Sequence, residues 1–383
     1  PTTIPGVTFG STMRRLARLA HKLTIVRSFH TKNSGHNIKP IVGEHSLEAN
    51  IGTHYSRVAG STHPLTGMPT NAVIFPRTVN SEVPGPSARG NLASTGPYGK
   101  GYTPFVPGAG GQLQEDMKLR LDRTRNDTRR QLLSQLDRLN RKADTGGQLD
   151  GLDKLQGQAY ELILGGGVSK ALDLSREDPH TLKRYDTSAY AKKGHWNKVS
   201  RGRKGYYCAQ AATVGPLLLL ARRLCEAGCG FVTIHAGYEG VWDMHADGNN
   251  LNMIDGMEAV GRSFDHAVSA FVEDVEDRGL EDRIMLVATG EMGRTPKINK
   301  NGGRDHWARL APLLLYGGGL EGGRIIGRSD RQGGEPAVDG CDPSHLISTI
   351  LHTVFDPGKL RIKPDAPREV LALSEKPPIP GIF

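Results

Sequence analysis

Two stretches of the chain concentrate carboxylates and imidazoles. The first holds Trp242, Asp243, Met244, His245, Ala246 and Asp247; the second runs from Gly290, Glu291 and Arg294 to Arg304, Asp305, His306 and Trp307. Nitrogen and oxygen donors of this kind hold divalent cations that activate water or bind phosphoryl oxygens, whereas a soft thiolate site needs Cys, and none lies near. Two metals in one pocket would need about six ligands drawn from several loops. Asp243, His245, Glu291, Asp305 and His306 supply five. His36, in a polar loop of the first half, is a sixth candidate. Arg294 follows Glu291 by three residues and either clamps an oxyanion bidentately or pairs with Glu291. Arg27, just past a strand end, has the same two readings. Asn33, Ser34 and Asn37 are first of all turn and cap formers. A nucleophilic Thr31 or Ser34 has no base at fixed spacing to support it.

Other reactive-looking residues read as structure. His235 ends an apolar strand and is expected to be a satisfied core histidine. Asp265 and His266 are expected on a helix surface. Cys225 and Cys229, at i and i+4, suit packed thiols better than a structural zinc, which needs two more ligands nearby. The glycine run 317–323 joins two expected strands and opens no helix, so a dinucleotide site is not expected. The chain contains no P-loop and no Gly-x-Ser-x-Gly elbow.

The elements that must position these loops follow from hydrophobic period and punctuation. Strands are expected at 23–26, 70–75, 230–235, 283–289, 311–316 and 324–326. Helices are expected at 9–23, 45–59, 115–142, 152–164, 212–227, 256–278 and 343–355. Apolar strands alternating with amphipathic helices predict a largely parallel sheet with helices on both faces. In such sheets ligands collect at the carboxyl ends of the strands, where both acidic and His-rich loops fall. Residues 76–112 are expected to form a long loop, 108–207 an insertion or cap, and the Pro-rich tail after Phe355 a surface wrap.

Composition bounds the function. Of 383 residues, 49 are Gly and 23 Pro, which argues for much irregular backbone and against a helical bundle. Hydrophobic residues at 37% exclude disorder of the whole chain. Four Cys do not make a disulfide framework. No apolar run approaches the length needed to span a bilayer, and no signal peptide is visible after Pro1. The net charge of +9 favours an anionic partner. The basic stretch Lys192, Lys193, Lys198, Arg201, Arg203 and Lys204 carries no recognised nucleic-acid motif, so a small or polymeric anionic substrate is favoured over nucleic acid. Oligomeric state is not legible.

At 241–245, 289–296 and 303–307, and again at 26–30, 33–40 and 317–327, the sequence resembles a bacterial family labelled domain of unknown function fifteen-oh-one. The resemblance covers most of the chain and implies an alkaline phosphatase-like superfamily member. The implied fold is a single three-layer α/β/α sandwich with a mostly parallel sheet. The implied chemistry is hydrolysis or transfer of phosphate or sulfate esters at one or two divalent ions, zinc, manganese or calcium. Asp243, His245, Glu291, Asp305 and His306 carry over as metal or oxyanion positions, with His36 and Arg294 as catalytic contacts. A Gly-Gly-x-Ser-His-x-Asp type segment after an early strand is also implied. None precedes Thr24, so the domain is expected to lack its first strand. Relatives with twin-arginine leaders imply an exported, periplasmic protein. The alternative reading is a catalytically silent anion- or glycan-binding protein.

Overall fold

The computed structural model describes residues 1–85, 89–108, 167–191 and 201–383. In chain order its strands are β1 (Leu23–Val26), β2 (Asn71–Ile74), β3 (Phe231–Ile234), β4 (Met285–Thr289), β5 (Gly293–Arg294), β6 (His306–Trp307), β7 (Leu313–Gly317), β8 (Arg324–Ile326), β9 (Arg328–Ser329) and β10 (Pro336–Val338). Its helices are α1 (Arg14–Arg18), α2 (Ile51–Ala59), α3 (Pro76–Val79), α4 (Gly167–Leu172), α5 (Pro179–Arg184), α6 (Arg201–Glu226), α7 (Met253–Gly256), α8 (Arg262–Asp277), α9 (Pro343–Val354), α10 (Pro357–Arg361) and α11 (Arg368–Ser374).

The main sheet has the order β4-β7-β1-β8. β7 runs antiparallel to both neighbours, pairing Thr289 with Leu313 and Leu23 with Tyr316, while β1 and β8 are parallel. β2 and β3 form a separate two-stranded parallel pair. These findings overturn the expected three-layer sandwich on a mostly parallel sheet: the sheet is small and mixed. The reason lies in residues 290–312. A parallel neighbour needs a crossover, usually helical, but this segment forms only the short β5–β6 ribbon and returns, which delivers β7 antiparallel beside β4.

Alternation along the strands divides the core. Leu23, Tyr316 and partly buried Ile25, Leu286 and Leu314 face α6 and α8, where Val214, Leu218, Val268 and Val272 are buried. Leu313, Leu315, Val26 and Ile326 face α9, with Leu346, Ile347 and Ile350. Asp342 caps α9, accepting from the Ser344 and His345 amides, and Pro343 sits at the first helical position. The tail does more than wrap the surface: α10 and α11 insert Leu360, Val370 and Leu373 into the core beside α9.

Asp265 is also not a surface group. It is buried on α8 and accepts from the Arg15 and Leu16 amides at 3.0 and 2.8 Å, capping α1, whose own N-terminal flank supplies no side-chain cap. Its neighbour His266 contacts the Arg184 carbonyl at 2.8 Å. Cys225 and Cys229 are free thiols packed in apolar clusters.

Arg222, 1% exposed, was not singled out by sequence. It donates to Asp274 at 2.9 Å, to Glu226 at 2.5 Å and to Glu177 at 2.7 Å. Arg223 adds a contact to Glu177, and Arg278 contacts Asp274, Glu226 and Glu177. Three guanidinium groups thus meet three carboxylates, and the network ties the 173–185 segment to α6 and α8. The expected insertion at 108–207 lies mostly outside the described residues, as do the helices expected at 115–142 and 152–164. No helix among the described residues is long and apolar enough to cross a membrane.

Candidate metal centre

Three loops leave strands at their carboxyl ends and meet. The loop after β1 brings His36, the loop after β3 brings Asp243 and His245, and the β5–β6 ribbon after β4 brings Arg294 and His306. Their backbones are fastened to one another. Asn33 holds Asn37 by a side-chain bond of 2.7 Å, and Thr31 Oγ1 donates to the Glu291 carbonyl at 2.7 Å. Asn299 donates to the His245 carbonyl at 2.9 Å, and the Arg304 amide donates to the Met244 carbonyl at 2.8 Å. Only glycine fits at 303, because a Cβ there would lie 2.2 Å from the His245 carbonyl oxygen.

One ligand atom each from His36, Asp243, His245 and His306 falls within 4.8 Å of all the others. Asp243 is the hub. Its Oδ2 lies 2.7 Å from His36 Nε2, and its Oδ1 lies 3.3 Å from His306 Nε2 and 3.6 Å from His245 Nε2. His245 Nε2 and His306 Nε2 are 3.0 Å apart. Four donors around a tetrahedral ion at ordinary bond lengths stand ~3.3 Å from one another, so the spacing suits one ion.

The opposite nitrogens all face oxygen. His36 Nδ1 faces Glu291 Oε1 at 3.2 Å, His245 Nδ1 faces Asp305 Oδ1 at 3.3 Å, and His306 Nδ1 donates to the Ser34 carbonyl at 2.8 Å. His306 therefore carries a proton on Nδ1 and turns Nε2 inward, whereas His36 lies between two carboxylates, Glu291 on its Nδ1 and Asp243 on its Nε2. Three Nε2 atoms and a carboxylate gathered this closely need a cation or protons among them. Oxygen partners on the outer nitrogens are the arrangement that fixes metal-binding imidazoles.

The charges agree. Burial alone would raise the Asp243 carboxyl, but the Arg294 guanidinium, which hydrogen-bonds it, and the imidazoles of His36 and His245 hold it below the ordinary carboxylate value. Burial pushes His306 below the ordinary imidazole value, against the pull of the Ser34 carbonyl and Asp243. It is thus neutral, with its lone pair free, near neutral pH. Asp243, Glu291 and Asp305 against Arg294 leave two surplus negative charges, the complement of a divalent ion.

The structure brings every expected site residue together but in two tiers. His36, Asp243, His245 and His306 converge; Glu291 and Asp305 stand behind them on His36 and His245. Arg294 pairs with Asp243 and donates to the Trp242 carbonyl at 2.9 Å, not to Glu291. Sequence reasoning gave no role to Asn299, Gly303 or the Ser34 carbonyl, which hold the ligand loops. The Asn-x-x-x-Gly spacing before Arg304 was the available signal. His235 is half-buried, with its ring edge to Phe75 and its buried Nε2 unpartnered, so it is not the satisfied core histidine expected. Arg27 is exposed and forms no ion pair among the described residues.

The comparisons agree with the resemblance seen in the motifs. No curated protein and no solved structure matches the chain. The family model described as "Protein of unknown function (DUF1501)" matches residues 1–366 and so takes in every residue of the centre. The chain belongs to the DUF1501 family.

Proposed function

We propose that the protein is a metal-dependent hydrolase of phosphate or sulfate esters. One observation carries the reading: three inward Nε2 atoms and the Asp243 carboxylate converge on one point beside the guanidinium of Arg294. Three imidazoles with one carboxylate suit zinc, manganese or iron and not calcium, which takes oxygen ligands. A divalent ion held there supplies Lewis acidity toward an ester oxygen and lowers the pKa of a water.

The chain's own residues supply the rest. Glu291 and Asp305 fix the rings of His36 and His245. Arg294 sets positive charge beside Asp243, where an ester's non-bridging oxygens gain hydrogen bonds as charge develops. The Thr31 hydroxyl is committed to the Glu291 carbonyl, which argues against it as the attacking group.

The test is turnover of p-nitrophenyl phosphate and p-nitrophenyl sulfate by protein reconstituted with each ion. Hydrolysis of either ester that a chelator abolishes and metal restores supports the reading. Metal bound at full occupancy with neither ester turned over contradicts it and favours a silent anion- or glycan-binding protein.

A further inference from the structure

The β5–β6 ribbon has two sides. The paired residues Arg294 and His306 face the metal centre, and alternation turns their neighbours Thr295 and Trp307 the other way. On that outer side lies an open cavity of about 320 Å³, lined by Lys297, Trp307, Arg309, Asp330, Gln332 and Glu335, among others. Its size falls at the lower end of small-molecule sites.

Part of the wall is fixed in advance. The Trp307 indole N–H donates to the Gly334 carbonyl at 2.5 Å, and the Arg309 guanidinium lies over the indole at 5.4 Å. The 330–335 turn is closed by three bonds: Asp330 N to Glu335 O at 2.9 Å, Gly333 N to Asp330 O at 3.1 Å, and Gly334 N to Asp330 Oδ1 at 2.7 Å. The indole and the turn are thus ordered in advance, while Lys297, Gln332 and the Arg309–Glu335 pair, 3.2 Å apart, are exposed side chains that a ligand would have to order.

The lining decides the ligand class. Lys297 and Arg309 balance Asp330 and Glu335, so the cavity has no surplus charge to hold an anion. Planar carboxylate, amide and guanidinium groups exchange paired hydrogen bonds with vicinal hydroxyls, and the indole face that Arg309 does not cover can pack against the C–H face of a ring. We infer that this cavity is a subsite for an uncharged saccharide ring. Its link to catalysis rests on the hydrolase reading, on which the substrate is a glycan ester.

The test is calorimetric titration of the full chain, stripped of metal by chelator, with cellotetraose, maltotetraose, xylotetraose and mannotetraose, and with inorganic sulfate as control. Saturable binding of at least one tetrasaccharide is expected, weakened at least ten-fold by Trp307→Ala and unchanged by Asp243→Asn. If Trp307→Ala fails to fold by circular dichroism, Lys297→Ala, at an exposed position, must weaken binding several-fold. No binding of any tetrasaccharide, or binding unaffected by Trp307→Ala or Lys297→Ala, overturns the inference. Because metal is absent throughout, this outcome is separate from failure of the hydrolase reading, which shows as metal-loaded protein without ester turnover.

Discussion

His245 and His306 point Nε2 atoms at each other across 3.0 Å while the Nδ1 of each is tied to oxygen, on Asp305 and on the Ser34 carbonyl. Without a proton or a cation between them, two ring nitrogens at that distance repel. With Asp243 and His36 completing the ring of donors, a shared divalent ion removes the conflict.

The outer carboxylates act through the imidazoles. Glu291→Gln and Asp305→Asn are therefore expected to leave the fold intact and weaken metal affinity by about 10- to 100-fold each. Competition with a calibrated chelator measures this. Unchanged affinity in both variants would remove them from the centre.

Arg294 touches Asp243 and is partly exposed. Arg294→Ala is expected to retain metal and lower ester turnover by about 10²-fold or more, the usual cost of losing one charge-stabilising donor. Arg294→Lys keeps the charge but not the fork, and is expected to recover only part of the loss. A fall in metal content equal to the fall in turnover would instead assign Arg294 to holding Asp243.

The Arg222 network is a stability element. Arg222→Met takes the most buried guanidinium from Glu177 and Asp274, leaving them to Arg223 and Arg278, and is expected to cost about 3–5 kcal/mol, the range for breaking one partner of a buried pair. Urea unfolding reads it. A loss below about 1 kcal/mol would show that Arg223 and Arg278 suffice.

Asp342 gives a pH signature. Burial would raise its carboxyl, but hydrogen bonds from Ser344 and His345 hold it well below the ordinary carboxylate value. A depressed folded-state value stabilises the fold above the unfolded value, about 3.9, and the contribution disappears as pH falls toward the folded value. Asp342→Asn keeps a capping oxygen but not the charge. It should unfold at lower temperature than the parent at pH 7, with the gap closing steadily below about pH 4. A gap independent of pH would mean that the charge contributes nothing.

Much of the centre was legible because carboxylate and imidazole cluster in the loops that leave strand ends, and a sheet gathers such loops. The tiers were not legible: spacing cannot tell Asp305, which points at His245 Nδ1, from His306, which points inward. The sheet was misread between β4 and β7, where apolar strands alternate as in a parallel fold but the connection lacks a helix. Asp265 and Arg222 escaped because their partners lie far off in sequence, at Arg15 and Leu16 and at Glu177 and Asp274.

The most direct measurement is metal per chain by elemental mass spectrometry, after reconstitution with zinc, manganese or iron and removal of loose ions. About one equivalent is expected in the parent protein, falling to background in Asp243→Ala and in the His245→Ala, His306→Ala double variant, both still folded. No retained metal in the parent, or equal retention in the folded variants, would contradict a metal centre at these residues.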